Sequence, residues 1–367
     1  MNGNIYGKKM ISKIKQADWI LNAAIFFLAA AGLLMLFSGS SDLFVKQVIF
    51  LAIGLVFLLA MPFLNLKHLV NYRWLIFLIL ALSVVLLVLT YFFGVEVNGS
   101  KSWLDFNFFR LQPSEFAKVA LITILAAFFS GRHISIKRPG VILGSFAYFA
   151  APTALILIEP DLGSALILFG IWFGFLVVAG LPIKYIAAGI ALFAVLGVVA
   201  WNFGLKDYQK DRILAVFNPE EDPLGVNYNV IQSKNAIGSA GFLGKGFRQG
   251  EIVQLGFLPA AQTDFAFASF TEEWGILGGG LVIIAFAIMM WRISLVGIKA
   301  EDNFSKFICL GTMIFLGLQF AVNMGSVLGF TPVVGVAFPF LSAGGSNLIA
   351  SMFLLGIVQN IAQRRTA

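Results

Sequence analysis

Ten long apolar runs, each close to the length of a bilayer crossing, dominate this 367-residue chain. A transmembrane helix needs about 20 consecutive apolar residues. Charged residues make up only 12% of the chain, against about 25% in a soluble domain. Because so few polar side chains cannot cover a water-exposed surface, the sequence predicts an all-α polytopic membrane protein. The runs are residues 19–37, 45–63, 74–93, 115–129, 140–158, 162–179, 185–203, 265–291, 304–328 and 340–361.

Lysine and arginine are concentrated in alternate connections between these runs. Cytoplasmic loops of membrane proteins carry an excess of both residues, so this side is assigned to the cytoplasm, together with both termini. It carries Lys8, Lys9, Lys13, Lys15, Lys67, Arg73, Arg132, Lys137, Arg138, Lys184, Arg292, Lys299, Lys306, Arg364 and Arg365, whereas the opposite short loops carry only Lys46, Lys101 and Arg110. The net charge of +7 reflects this bias. The lysine and arginine residues are scattered among loops and form no basic stripe, which argues against nucleic-acid binding.

One connection, residues 205–263, is about 60 residues long and falls outside the cytoplasm in this topology. Loops of such length inside compact domains are usually functional. Residues 228–237 are amphipathic, and we predict that they form a short helix on the membrane surface.

Ionisable residues at the ends of spans are costly in a bilayer and are functional candidates for that reason. The first group precedes and opens the fourth span, where Pro113 suits a helix start. Glu115 and Lys118 are three residues apart on one helical face and can pair. Such a pair either locks the start of the span or forms the polar wall of a cavity for a charged ligand, and the two readings are compatible. The group comprises Arg110, Gln112, Ser114, Glu115 and Lys118.

A second group, Glu159 and Asp161, lies at the start of the sixth span. Asp161 is suited to capping that helix, where the helix dipole favours an anion. Two acids so close together also suit cation binding, although they are too few for a dedicated calcium site.

The third group is Thr263 and Asp264 before the eighth span, with Glu272 and Glu273 two turns further on. We predict that Thr263 caps the helix and that Asp264 lies in its first turn. The helix start lowers the pKa of Asp264 and apolar burial raises it. Asp264 is therefore either an ordinary helix-start acid or a partly desolvated general base.

A glycine-rich stretch before the last span contains Ser342, Gly344, Gly345 and Ser346. Backbone N–H groups there, ahead of a helix, are suited to cradling phosphate. A re-entrant turn between spans is the alternative reading.

Taken together, these motifs resemble the SEDS family, whose branches are RodA, FtsW and SpoVE. The matching segments stand in the family's order over essentially the whole chain: residues 98–103, 112–118, 159–163, 228–239, 263–265, 272–275, 332–335 and 342–346. Residues 218–225, followed by Gln232, Ser233 and Lys234, look more like the elongation branch, RodA, than the division branch, FtsW.

The resemblance implies one ten-helix transmembrane domain over residues 1–367 in the bacterial cytoplasmic membrane, with the long loop outside. It implies a peptidoglycan glycosyltransferase that polymerises lipid II during elongation and shape maintenance. The implied partners are lipid II, a class B penicillin-binding protein, other elongation-complex membrane proteins and membrane lipid. The family's essential acid corresponds to Asp264, and its acid–base pair corresponds to Glu115 and Lys118.

The resemblance and the polar groups together give a set of substrate-binding candidates. These are Arg110, Gln112, Ser114, Glu115, Lys118, Asp161, Gln232, Ser233, Lys234, Thr263, Ser342, Gly344, Gly345 and Ser346. The candidates for stabilising a departing diphosphate are Lys118, Arg110, Lys234 and the Gly344–Gly345 backbone. The sequence establishes no cofactor, and a divalent cation, Mg²⁺ or Mn²⁺, is the candidate that the chemistry suggests.

Three residues, Ala260, Ala343 and Asn347, depart from the family pattern, and they affect the expected shape of the substrate mouth. Two other functions stay open at this point. A lipid II flippase also explains buried polar groups, but it needs them along a path through the membrane, whereas the candidates cluster at one end. A scaffold for shape-determining partners leaves the buried charges unexplained.

Overall fold

The computed structural model describes residues 16–64, 73–97, 99–107, 109–132, 138–218, 225 and 227–364. Several residues used to predict topology and family lie outside the described residues. They are Lys8, Lys9, Lys13, Lys15, Lys67, Asn98, Lys137, residues 219–224 and Arg365.

Helices account for most of the described chain, and each of the ten predicted spans corresponds to one of them. The helices are α1 (Trp19–Gly39), α2 (Ser41–Ala60), α3 (Arg73–Phe93), α4 (Pro113–Ser130), α5 (Pro139–Ile158), α6 (Leu162–Val178), α7 (Ile183–Val199), α8 (Asp207–Phe217), α9 (Tyr228–Ser239), α10 (Glu251–Gln254), α11 (Ala266–Ile298), α12 (Asn303–Leu328) and α13 (Gly345–Arg364). Eight are long and apolar enough to cross a membrane, and α6 and α7 are shorter, with 17 residues each. The predicted fold class, an all-α polytopic membrane protein, is confirmed.

Helices α4 and α13 are the most buried and the least apolar of the long helices. Helix α4 packs against α3, α6 and α12, and α13 packs against α2, α4 and α12. The more apolar helices α2 and α3 expose most of their surface. Since polar side chains in a bilayer are tolerated where protein surrounds them, these two inner helices can carry buried polar residues such as Glu115, Lys118 and Asn347.

A small antiparallel sheet between α3 and α4 was not predicted. Its strands are β1 (Val95–Val97), β2 (Ser100–Asp105) and β3 (Arg110–Leu111), in that spatial order. Strands this short show no period-two alternation that the sequence could reveal. Strand β2 packs on the start of α4, so the sheet lies beside the first polar group.

The long loop folds into three helices, α8 to α10. The helix predicted at 228–237 is present as α9, which packs against α11 and α12 and buries Ser233 and Ala236. Its position on the membrane surface stays a prediction. The loop is therefore anchored on the spans rather than extended from them.

Helix α11 is broken at Gly275, whose φ of 72° and ψ of −179° are not helical. The loop docks into this break. The Ile276 and Leu277 N–H groups donate to the carbonyls of Gly241 and Phe242, at 3.0 and 3.1 Å. The first segment of α11 is thereby fixed by the loop.

The buried Glu272 carboxylate of α11 strengthens this docking. It accepts from the N–H groups of Ile252 (2.9 Å) and Val253 (3.1 Å) at the start of α10. A carboxylate at a helix start satisfies N–H groups that have no intrahelical partner.

The last span begins at Gly345, five residues later than its predicted start at 340. Residues 331–344 form an irregular segment instead, in which Phe340 has a φ of 67° and Phe338, Phe340 and Leu341 are buried. Non-helical backbone at membrane depth is tolerated where protein covers it. The glycine-rich stretch is therefore part of a buried, non-helical segment before the last span. We call residues 331–344 the re-entrant segment, after the second of the two interpretations; both interpretations stay predictions.

Candidate active site

The starts of α4, α6 and α13 meet through hydrogen bonds among predicted site residues. The Gln112 N–H donates to Ser346 Oγ (2.9 Å), and Gln112 Nε2 donates to Asp161 Oδ2 (3.3 Å). Ser114 Oγ lies 3.1 Å from Ser164 Oγ. Residues more than 230 positions apart in the sequence thus form one polar cluster at one end of the bundle.

Asp161 caps α6, as predicted. Its Oδ1 accepts from the Ser164 N–H at 2.9 Å, and its Oδ2 accepts from Gln112. The first of these bonds satisfies an N–H group at the start of α6 that has no intrahelical partner. Asp161 therefore orients the N-terminal ends of two helices.

Glu115 and Lys118 form the predicted ion pair, with Lys118 Nζ 2.6 Å from Glu115 Oε1. The second oxygen, Glu115 Oε2, accepts from Asn347 Nδ2 at 3.0 Å. All three side chains are buried. Asn347 departs from the family pattern, and here its amide donates directly to Glu115 and so ties α13 to α4.

Asp264 lies just before α11, and the predicted cap at Thr263 is wrong. The helix begins at Ala266, with Phe265 in the N-cap position and no side-chain cap. Consecutive turns precede it, and the Phe265 N–H donates back to the Ala260 carbonyl (3.3 Å), with Ala260 at a φ of 54°. Asp264 therefore projects from a turn rather than from the first helical turn.

Two side chains hold this turn through its backbone. Ser342 Oγ donates to the Thr263 carbonyl at 2.5 Å. Asn323 Nδ2 donates to the carbonyls of Asp264 (2.8 Å) and Val336 (2.9 Å). Helix α12 and the re-entrant segment thus fix the position of Asp264.

The Asp264 side chain is partly exposed, and neighbouring groups shift its pKa. Burial raises the pKa of Asp264 to about 6, while the Arg212 guanidinium and the Thr263 hydroxyl act to lower it. A carboxylate with this pKa is ionised at neutral pH and is more basic than an ordinary aspartate. These are the properties of a general base.

Arg212 was missed by the sequence analysis. It lies on α8, donates from Nη1 to the Val333 carbonyl (3.2 Å) and places its charge near Asp264. It stands among other charged residues of the long loop, without a motif that would have singled it out.

The remaining candidates lie at varying distances from this cluster. Arg110 is exposed and paired with Asp105 (3.0 Å), outside the hydrogen-bonded cluster. The Gly344 N–H donates to Gln47 Oε1 (3.3 Å), a bond that competes with phosphate. A Cβ at Gly345 would collide with the Phe50 ring, so close packing accounts for the presence of glycine at this position.

The three candidates on α9 lie apart from the α4–α6–α13 cluster. Ser233 Oγ donates to the Val327 carbonyl at 3.0 Å, which anchors α9 to the end of α12. Gln232 is partly buried on the same helix. Lys234 faces a cavity that Arg212 also lines.

Glu159, at the end of α5, is buried, and neither of its carboxylate oxygens has a hydrogen-bond partner among the described residues. Burial, reinforced by the Asp161 charge and opposed by Lys101, raises the pKa of Glu159 to about 8. Glu159 is thus mostly protonated at pH 7. The described ranges contain no group of three or more His, Cys, Asp or Glu side chains that could hold a metal ion.

These features define a multi-pass helical membrane protein with an ionisable, partly enclosed site at one end of its spans. The family model described as "Cell cycle protein", covering FtsW, RodA and SpoVE, matches residues 18–367. The chain therefore belongs to the FtsW/RodA/SpoVE family.

Individual relatives agree with this assignment. The peptidoglycan glycosyltransferase MrdB of Escherichia coli is 38% identical over 289 residues, which cover 77% of this chain and 76% of that protein. A chain from a peptidoglycan synthase complex, studied for the structural coordination of polymerization and crosslinking, matches with a TM-score of 0.81 and 30% identity, covering 95% of this chain and 98% of that one. The crystal structure of Thermus thermophilus RodA matches with a TM-score of 0.72 and 26% identity, over 96% and 98% of the two chains.

Proposed function

We propose that this protein is a peptidoglycan glycosyltransferase of the bacterial inner membrane, that it polymerises lipid II during cell-wall elongation, and that Asp264 is its general base. The observation that carries the proposal is the position of Asp264: a partly exposed carboxylate of raised pKa, beside a guanidinium, at the end of a membrane-embedded bundle. Relatives that share this fold are named peptidoglycan glycosyltransferases.

The reaction joins a sugar hydroxyl of one substrate to the anomeric carbon of another. The C–O bond to the donor's diphosphate breaks, a new glycosidic C–O bond forms, and the hydroxyl proton passes to Asp264. A sugar hydroxyl is a poor nucleophile at neutral pH, so a positioned base contributes about 10²–10⁴-fold to the rate. The Asn323 and Ser342 hydrogen bonds, which hold the backbone beside Asp264, supply the positioning.

The location of the site suits a lipid-linked substrate outside the cytoplasm. Asp264 precedes α11, while Arg292, near the other end of this helix, pairs with Asp18 at the start of α1 (2.6 Å). The lysine and arginine distribution favours a cytoplasmic position for the Arg292 end and for both termini. In this orientation the lipid tail stays in the bilayer while the sugars reach Asp264.

A class B penicillin-binding protein is the proposed crosslinking partner, with other elongation-complex membrane proteins around it. A solved relative belongs to a peptidoglycan synthase complex in which polymerization and crosslinking are coordinated. We expect polymerisation by the purified chain to increase when the partner is added.

The use of Mg²⁺ or Mn²⁺ is a separate proposal. Because the described residues offer no three-ligand cluster, the cation would bind mainly through substrate phosphates, as Mg²⁺ commonly does. Asp264 is suited to proton transfer whether or not a cation is used.

Lipid II flipping is the second candidate function, and the two are separable by experiment. Purified protein in liposomes is given lipid II, and glycan strands and transbilayer movement are both measured. We expect strands without flipping. Flipping without strands would overturn the glycosyltransferase proposal, and retention of full cell-shape function by Asp264→Asn in the absence of either activity would favour a scaffold.

A further inference from the structure

A second polar site lies in a cavity of about 430 Å³ between α8, α9 and the turn that follows α12. Among the described residues, two cationic side chains, Arg212 and Lys234, and one carboxylate, Asp211, line it. The excess of positive charge favours an anionic ligand.

The cavity is shaped around the Lys234 ammonium. A Cβ at Gly329 would lie 2.8 Å from Lys234 Nζ, so the absence of a side chain there makes room for the charge. Gly329 ends α12 in the left-handed conformation, with a φ of 78°. The Lys234 ammonium is thus held beside the C-terminal end of α12, where the helix dipole attracts a cation.

The cavity also offers a hydrogen-bonding wall. Asn229 lines it, and the side-chain N–H groups of this residue are donors of the kind that a phosphate oxygen accepts. Thr331, on the opposite side, lines it as well. Two cations with polar neighbours match the oxygen-rich surface of a phosphate group.

One short segment connects the cavity to Asp264. Val333 lines the cavity and accepts from Arg212, and Val336, three residues further on, shares the Asn323 amide with the Asp264 backbone. The Arg212 charge also reaches Asp264 and acts to lower its pKa.

We propose that this cavity holds the diphosphate of the glycosyl donor, with Arg212 and Lys234 stabilising it as the leaving group. This inference rests on the proposed function and deepens it. Electrostatic stabilisation of developing charge in a preformed site is commonly the largest contribution to catalysis. Lys234 was among the diphosphate candidates of the sequence analysis, whereas Arg110, another of them, is exposed and bound to Asp105.

The donor fits better than the acceptor because of where each diphosphate lies relative to the reacting atoms. In the donor, the anomeric carbon is bonded directly to a phosphate oxygen. In the acceptor, a disaccharide separates the reacting hydroxyl from the diphosphate. A cation close to the base therefore lies near the donor phosphate. When the anomeric C–O bond breaks, its electron pair goes to this diphosphate, and the acceptor proton goes to Asp264.

The test measures binding of two lipids to the full-length protein in detergent. Undecaprenyl diphosphate is the leaving group of lipid II, and undecaprenyl phosphate has the same tail with one phosphate fewer. The variants are Arg212→Gln and Lys234→Gln, and the matched control is Lys210→Gln, which removes a lysine of α8 that does not line the cavity. Charge-assisted hydrogen bonds are strong enough for each variant to lose about tenfold or more in diphosphate affinity. We expect less than a twofold change for the control and a clear wild-type preference for the diphosphate.

Equal diphosphate affinity in wild type and both variants would overturn the inference, as would the absence of any preference over the monophosphate. Arg212→Lys keeps the charge and is expected to bind with intermediate affinity, which covers the case in which Arg212→Gln does not fold. Asp264→Asn should bind the diphosphate as wild type does while making no glycan. If the wild-type protein binds the diphosphate as expected but makes no glycan, the proposed function is contradicted while the diphosphate site is not.

Discussion

The Lys118 ammonium lies 2.6 Å from the Glu115 carboxylate, and neither side chain is more than 6% exposed. The charges neutralise each other on one helix face inside a bundle surrounded by lipid. Asn347 occupies the other carboxylate oxygen, so the pair also joins two helices. A buried ion pair of this kind adds little net stability, but removing one of the two charges strongly destabilises the fold.

Single neutral substitutions of this pair should therefore be worse than the double substitution. Glu115→Gln or Lys118→Met alone leaves an uncompensated buried charge and should cost about 3–5 kcal/mol of stability. The double variant Glu115→Gln/Lys118→Met should recover part of this loss. Thermal unfolding in detergent measures the effect, and additive losses in the double variant would mean that the two charges do not interact.

Activity should depend on pH through the ionisation of Asp264. The base works as the carboxylate, and its pKa is raised to about 6. As pH falls below about 6 the protonated fraction grows, so kcat/KM should drop roughly tenfold per pH unit, and it should level off above this value. Arg212 lowers this pKa, so the acidic limb of the pH–rate profile, in which activity falls with pH, should lie at higher pH in the residual activity of Arg212→Gln.

The pH–rate profile of polymerisation, with substrate below saturation, checks this prediction. Arg212→Lys, which keeps the charge, is the control and should show a limb close to that of wild type. A flat profile between pH 5 and pH 8 would contradict the assignment of Asp264 as the base.

The break in α11 should tolerate only glycine. Gly275→Ala places a side chain on a backbone conformation that glycine alone adopts readily, and its Cβ would collide with the backbone of Gly244 and Phe242. Such strain costs on the order of 1–3 kcal/mol, and undocking of the loop would add to it. Polymerisation should fall as well, because the loop carries Arg212.

Gly280→Ala is the matched control on the same helix. A Cβ at Gly280 meets nothing within 4 Å, and alanine favours a helix interior over glycine by about 0.5–1 kcal/mol. Melting temperatures should therefore move in opposite directions, and an unchanged value for Gly275→Ala would refute the docking role of the break.

Asn323 should act as a positioning residue for Asp264. Asn323→Leu removes both amide hydrogen bonds, to Asp264 and to Val336, and the turn is then free to shift. We expect kcat to fall by about tenfold or more, since small displacements of a catalytic group are costly, with little change in undecaprenyl diphosphate affinity.

Thr312→Val is the control for Asn323→Leu. Thr312 is buried on the same helix, and its hydroxyl donates to the Ile308 carbonyl within the helix (2.9 Å). Equal losses of kcat in the two variants would indicate general destabilisation of α12 rather than positioning of Asp264.

The sequence was sufficient for the features that depend on hydrophobicity and local spacing. Apolar runs of bilayer length located the spans, and the three-residue spacing of Glu115 and Lys118 gave their pairing. The helix-start position of Asp161 gave its cap. Each depends on residues that are close together in the chain.

The features that were missed depend on contacts between distant segments. Thr263 was assigned as a cap because threonine favours that position, but the Ser342 and Asn323 hydrogen bonds hold the preceding turn and delay the helix start to Ala266. Arg212 becomes significant only because the loop folds back on the spans and brings α8 beside the re-entrant segment.

The most direct measurement compares purified wild type, Asp264→Asn and Lys210→Gln in polymerisation of lipid II, with and without the cognate penicillin-binding protein. The fold raises the pKa of Asp264, which means that burial disfavours the charged carboxylate. Because Asp264→Asn removes this charge, the variant should melt no lower than wild type at pH 7. We predict a folded Asp264→Asn protein that makes no glycan strands, beside active wild type and control. Strands made by Asp264→Asn at the wild-type rate would contradict the role of Asp264 as the base.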